Sequence, residues 1–178
     1  MNDIRELIEL LKRDWEKPRI TFEMTGDHPP FTSECYFPEE IAWVPDGYPV
    51  VVPPDLHYFW RSTSTAKLFF CRNYGQWGLE ILDPVAALNV TRKEQADLVY
   101  TRYVSTDLII GNFLGDSDRL VVDCSPENFG KIIVSTGIGK RKDWFRVADS
   151  FKDFFNRYVA AEGSKYWEDE LIPGVGER

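Results

Sequence analysis

Apolar positions at the start of the chain recur at helical spacing. Ile4, Leu7, Ile8, Leu11 and Trp15 fall on one face, with Asp3 and Glu6 in the first turn and Lys12 and Arg13 in the last, where they complement the helix dipole. Pro18 stops the pattern, and Ile20, Phe22 and Met24 then alternate with polar neighbours as a short strand. Residues 26–54 hold seven of the eleven prolines, so this stretch reads as a long ordered connection with edge strands near 34–37 and 48–52. Pro53-Pro54-Asp55 opens a second, short helix with Leu56, Phe59, Trp60 and Thr63 on one side.

Ala66, Leu68 and Phe70 alternate into a strand, and after the Asn73-Tyr74-Gly75 turn Trp77, Leu79 and Ile81 alternate into its hairpin partner. Asp83 followed by Pro84 is a helix start, with Val85, Ala86 and Leu88 on one side. Thr91 and Glu94 fit a capping box, which predicts a separate short helix or turn there. The most regular stretch is central. Residues 108–113 and 119–123 are two apolar strands joined by the polar turn Gly115-Asp116-Ser117-Asp118, with Leu108 and Ile110 sharing a face, and Leu120 and Val122 likewise. Residues 131–135 add a third strand, making an antiparallel meander. Ser150 caps the clearest helix, in which Phe151, Phe154, Phe155, Tyr158 and Val159 follow the i, i+3, i+4, i+7, i+8 template. Gly163 ends it, and an acidic tail to residue 178 is expected to lie on the surface or fray.

The order of elements predicts an α+β fold, a mostly antiparallel central sheet with helices packed on one side. A length of 178 residues suits one domain over 1–178 that buries roughly 70% of its unfolded surface. Three unevenly spaced cysteines, Cys35, Cys71 and Cys124, without a C-x-x-C pair, read as buried thiols in a reducing compartment. No apolar run approaches the ~18 residues of a membrane span, and the start is charged and amphipathic, so a cytoplasmic protein is expected. A net charge of −8 disfavours direct nucleic-acid binding and permits a basic protein partner. Aromatics make up 15% of the chain, including six tryptophans; any left at the surface are candidate interface anchors.

Catalytic and metal motifs are weak. Asp116, Asp118 and Asp123 could suggest a cation, but Leu120 stands where a calcium loop would want its third ligand, and ordinary turn chemistry explains the carboxylates. Gly137-Ile138-Gly139-Lys140 lacks the first glycine and the Ser or Thr of a phosphate loop. Lys140-Arg141-Lys142 reads as a solvated loop before Trp144. His28 and His57 lack the spacing of a zinc site, and no Gly-x-Ser-x-Gly elbow occurs. No enzyme activity, metal or cofactor is expected.

The succession PPDLHYFWRSTSTAKLFF, YGQWGLEI, DLIIGNFLGDSDRLVVD and VADSFKDFFNRY resembles the SMI1/KNR4 superfamily, whose bacterial members are known as SUKH immunity proteins. The resemblance covers about 41–158, with the tail 163–178 peripheral to it. It is strongest in the Gly-Asp hairpin and the phenylalanine-rich last helix. Residues 26–54 are longer than the usual link, and 61–65 lack the Asn-Gly-Gly-like turn of many members. The resemblance implies a small cytosolic protein that binds and neutralises a polymorphic toxin domain, often a nuclease or deaminase; in fungi, relatives are regulatory scaffolds. A small-ligand or enzymatic role is the remaining alternative. Trp77, Asp116, Asp118, Asp123 and Trp144 are the expected partner-binding residues, and Trp43 and Trp167 are left unplaced.

Overall fold

A computed structural model describes residues 2–21, 31–97, 102–137 and 139–169. Helix α1 (Ile4–Trp15) buries the five residues its spacing selects. Its first turn is closed by a capping box: the Asp3 carboxylate accepts from the Arg5 amide, and Glu6 reaches back to the Asp3 amide at 3.0 Å. The strands are β1 (Arg19–Thr21), β2 (Phe31–Tyr36), β3 (Ala66–Phe70), β4 (Leu79–Ile81), β5 (Asp107–Phe113), β6 (Arg119–Asp123), β7 (Lys131–Ser135) and β8 (Phe145–Ala148). Each pairs antiparallel with the next, giving one eight-stranded meander among the described residues. Phe22 and Met24, expected to extend the first strand, lie outside the described residues.

Helices α1, α2 (Pro54–Trp60) and α4 (Phe151–Ala160) pack together over one face, burying Leu108, Ile110, Leu120, Val122, Ile132 and Val134. Phe59 meets Phe151 and Phe155 edge-on at 5.1 and 5.8 Å between ring centroids, so the two phenylalanine-bearing helices lock through aromatic contacts. The opposite face holds a smaller cluster of Ile109, Val121, Tyr103 and Trp144. Both sides of the central hairpin are therefore dry.

Four expectations change. β2 is flanked by β1 and β3 rather than lying at an edge, and residues 48–52 form no strand. Residues 38–53 run instead as a strap outside the sheet. It is pinned by the Ala42 amide on the Trp60 carbonyl (2.8 Å), the Ser64 amide on the Glu40 carbonyl (2.7 Å) and the Tyr48 hydroxyl on the Pro84 carbonyl (2.8 Å). In β3 the alternation breaks: Phe69, not Phe70, is fully buried beside Leu68. The pairing Glu34 with Phe70 and Tyr36 with Lys67 leaves one extra residue on β3, and Phe69 takes φ +50°, so a bulge turns a second successive side chain inward. The tail is also partly anchored, since a short helix α5 (Tyr166–Asp169) buries Trp167 against Phe113 and Phe154. Residues beyond 169 lie outside the described ones.

The fourth change concerns Thr91. Helix α3 (Pro84–Gln95) is continuous, capped by Asp83 on the amides of Val85 and Ala86, and Thr91 sits in its interior instead of starting a new helix. β4 pairs only with the later half of β5, and α3 covers the edge left free. There the Thr91 hydroxyl accepts from the Ile109 amide and donates to the Ala87 carbonyl, both at 2.8 Å. Thr91→Val keeps the shape but strands the buried Ile109 N–H, and should cost about 1–2 kcal/mol in urea unfolding while Thr91→Ser costs less. Equal stability of the valine variant and wild type would show that the edge is not held by this bond.

Candidate functional site

The five residues singled out in the sequence fall into two groups. Asp116, Asp118 and Trp77 lie together at the tip of the β5–β6 hairpin. The Asp116 carboxylate accepts from the Asp118 amide at 2.8 Å, which is the turn chemistry expected of an Asp-x-Asp connection. The Trp77 amide donates to the Leu114 carbonyl at 2.8 Å, bringing the start of β4 against the same turn. Trp77 has φ +72° and precedes β4 instead of beginning it; its side chain is half-buried. At the following Gly78, an added Cβ would lie 2.6 Å from the Leu68 carbonyl oxygen, so the chain can cross β3 this closely only with glycine there.

A fourth member of this tip carries no local mark in the sequence. Lys165, from the tail, places its ammonium 2.8 Å from both Asp116 and Asp118, 3.6 Å from Glu168, and over the ring of Phe113. Burial alone would push this ammonium down. Hydrogen bonds to Asp116 and Asp118 outweigh that and hold it above its ordinary value. The tip therefore presents two carboxylates whose charge is partly met from within, leaving an acidic excess with Glu168.

Asp123 stands at the other end of β6, paired with Asp107 on β5, so it does not join the turn carboxylates. Both Asp123 and Trp144 are largely buried. They meet around Arg141 on the outer face. The Arg141 guanidinium pairs with both oxygens of Asp107, approaches Asp123 at 3.8 Å and lies 5.1 Å over the Trp144 ring. The run 140–142 is accordingly not a solvated loop throughout: Arg141 is the cation of a buried clasp. A shallow groove of about 160 Å³ opens beside it, lined by Asp123, Asn128, Lys131, Ile133, Trp144 and Arg146 as well as Arg141. Its cations already have partners: Arg141 as above, Lys131 on Asn128 at 2.7 Å, and Arg146 on Asp149.

The remaining motifs are occupied by structure. The Gly137 amide points to Asp118 at 3.4 Å and the Gly139 amide to the Thr136 hydroxyl at 3.1 Å, so these amides do not form an open anion cradle. Burial pushes the Cys35 and Cys124 thiols up to about 12, which keeps both protonated near neutrality and unsuited to nucleophilic attack. Among the described residues no cluster of His, Cys, Asp and Glu has the geometry to hold a metal ion, and no helix is long and apolar enough to cross a membrane.

What this arrangement offers is surface chemistry: a partly neutralised acidic tip, a half-buried tryptophan, and a rigid sheet behind them. Comparison with known proteins gives one result. No curated protein and no solved structure matches the chain. The profile of the SMI1 / KNR4 family (SUKH-1) matches residues 38–157. That span is more than half of the sequence and runs from the strap through α2, the β3–β4 hairpin and the central meander to α4, so the chain belongs to the SMI1/KNR4 family.

Proposed function

We propose that this protein is an immunity-type binding domain that neutralises a toxin domain by stoichiometric occlusion, without chemistry of its own. The family match across 38–157 carries the reading. The net charge of −8 favours a basic partner, such as a nuclease or deaminase domain, because opposite charge speeds encounter while packed contacts slow release. The site of action is the cytoplasm. The test is co-expression: the chain is used to capture partners from its own cells, and each partner is expressed alone and together with it. A growth-inhibiting polypeptide held near one to one and silenced by this chain supports the reading. Several non-toxic partners would replace it with a regulatory scaffold, and a co-purifying small molecule with a ligand-binding role.

Trp77, Asp116 and Asp118 are the tip residues proposed to face that partner. Because Lys165 already meets the two carboxylates, Asp116→Asn with Asp118→Asn should weaken binding by only about 0.5 kcal/mol, mostly through a slower and less salt-sensitive on-rate. A loss above about 2 kcal/mol in calorimetric titration would make the tip a hot spot instead of a rim.

A further inference from the structure

The strap pinned to α2 and α3 is built the wrong way round for a simple connection. Ala42, Val44, Tyr48, Val50 and Val52 pack against the core. The intervening apolar residues face out: Ile41 is 49% exposed, Trp43 58% and Val51 72%. Tyr58 on α2 and Val85 in the first turn of α3 are exposed as well. A lone exposed apolar residue needs no explanation, but this strap turns three to solvent along one run of chain. Arg61 lies over the Trp43 ring, 4.4 Å from its centroid, so the indole is held in place while remaining open. Pro45, Pro49 and Pro53 restrict the strap, and its hydrogen bonds fix it to α2 and α3. Little conformational entropy is left to lose on docking.

Charge says what would dock. The strap, residues 38–53, contains three carboxylates, Glu39, Glu40 and Asp46, and no lysine or arginine, which outweighs the single Arg61 guanidinium over Trp43. On the strap, Glu39, Glu40 and Asp46 are exposed beside the outward apolar residues. Asp55 is not part of this set, because its carboxylate accepts from the amides of Leu56 and Lys152.

Resting on the protein-binding reading above, we infer that the outer face of the 38–53 strap, centred on Trp43, is the anchoring surface. Its partner is a basic polypeptide segment that sets apolar side chains against Trp43 and against Val51, and lysines or arginines against Glu39, Glu40 and Asp46. A second copy in the same orientation would bring like charges together, and anionic lipid or nucleic acid would meet the wrong sign.

The experiment uses the full-length, isotope-labelled protein and a short Lys/Leu peptide followed by NMR, with a Glu/Leu peptide, polylysine and phosphatidylglycerol vesicles as controls. The Lys/Leu peptide should bind saturably at about 150 mM salt, shifting the Trp43 indole and the Ile41 and Val51 amides. Trp43→Ala with Val51→Ser should weaken it about tenfold. Glu39→Gln with Glu40→Gln and Asp46→Asn should also weaken it and flatten the salt dependence. Thermal melts establish that each variant is folded. Shifts centred on 114–118, no saturable binding, equal binding of the Glu/Leu peptide, or binding to the vesicles would overturn the inference. So would self-association abolished by Trp43→Ala, which would give the face to a second copy. A toxin captured and silenced as proposed above, yet bound equally well by the Trp43→Ala, Val51→Ser protein, would sink the surface and leave the binding function standing. Failure to find any protein partner would sink the function.

Discussion

Arg141→Ala should destabilise the fold by about 3 kcal/mol, enough to lower the melting temperature by roughly 10 °C. The Asp107 side chain is 0% exposed and takes two hydrogen bonds from Arg141, one of them 2.8 Å, and a third from the Val104 amide at 2.9 Å. Removing the cation leaves that carboxylate, and Asp123 beside it, without a counter-charge in a dry place. The cost stays at the low end of the usual range for breaking a buried pair because Arg141 itself is 32% exposed. The same site gives a pH signature. Burial raises the Asp107 pKa and Asp123 adds to the rise, while Arg141 partly offsets it. A carboxyl with a raised folded-state pKa binds protons more readily in the folded chain than in the unfolded one, so its contribution to stability falls as pH climbs from its unfolded value through the raised one. Without Arg141 the rise is larger. The cost of Arg141→Ala should therefore be greatest near pH ~8 and shrink toward pH ~5. Adding Asp107→Asn to Arg141→Ala should recover part of the loss at the higher pH. Urea unfolding at the two pH values measures all three variants, and a cost that does not change with pH would show that Asp107 is not the group left exposed to the penalty.

Phe69→Ala should be costlier still, about 4 kcal/mol. This ring stands where three parts of the chain meet. It packs edge-on to Trp15 of α1 at 4.8 Å and to Tyr158 of α4 at 5.9 Å, and its amide donates to Cys35 on β2 at 3.2 Å. Its φ of +50° is unfavourable for a bulky residue and persists because the surroundings leave no other arrangement. Gly163 shows how tightly they close, since a Cβ there would lie 2.5 Å from the Phe69 Cβ. Alanine keeps the unfavourable backbone and opens a cavity between α1, α4 and β3, whereas Phe69→Leu fills part of it and should cost less. Chemical denaturation of the two variants decides it: a loss below about 1 kcal/mol for alanine would mean that the core collapses around the site and that the bulge serves another purpose.

Most of the elements were legible because their signals are local. A helix declares itself through side chains three and four residues apart, as in Ile4, Leu7, Ile8 and Leu11, or Phe151, Phe154, Phe155 and Tyr158. The central strands show through alternation and a Gly-Asp turn. The Thr91 motif misled for the same reason. A Thr-x-x-Glu run looks alike at the start of a helix and in its middle, and only the Ile109 amide arriving from β5 shows what the threonine is for.

The candidate site was legible only in part. Asp116 and Asp118 are two residues apart, and their turn follows from that spacing. Lys165, 49 residues from Asp116, carries no local mark of its role. Arg141 looked like one member of a solvated basic run, yet its partner Asp107 lies 34 residues earlier. Asp123 is close to the turn carboxylates in sequence, but a strand of five residues carries it to the far end of the hairpin.

By itself, then, the sequence determined the antiparallel α+β architecture, the aromatic core helices and the family, because periodicity, caps and turns are properties of neighbouring residues. Tertiary structure decided which charges are spent inside the fold, at Lys165 and Arg141, and which apolar residues are left outside it, at Ile41, Trp43 and Val51. Those outcomes depend on strand register, on the bulge at Phe69 and on where the strap is pinned to α2 and α3. They arise from contacts between distant segments, which form only when the chain closes on itself.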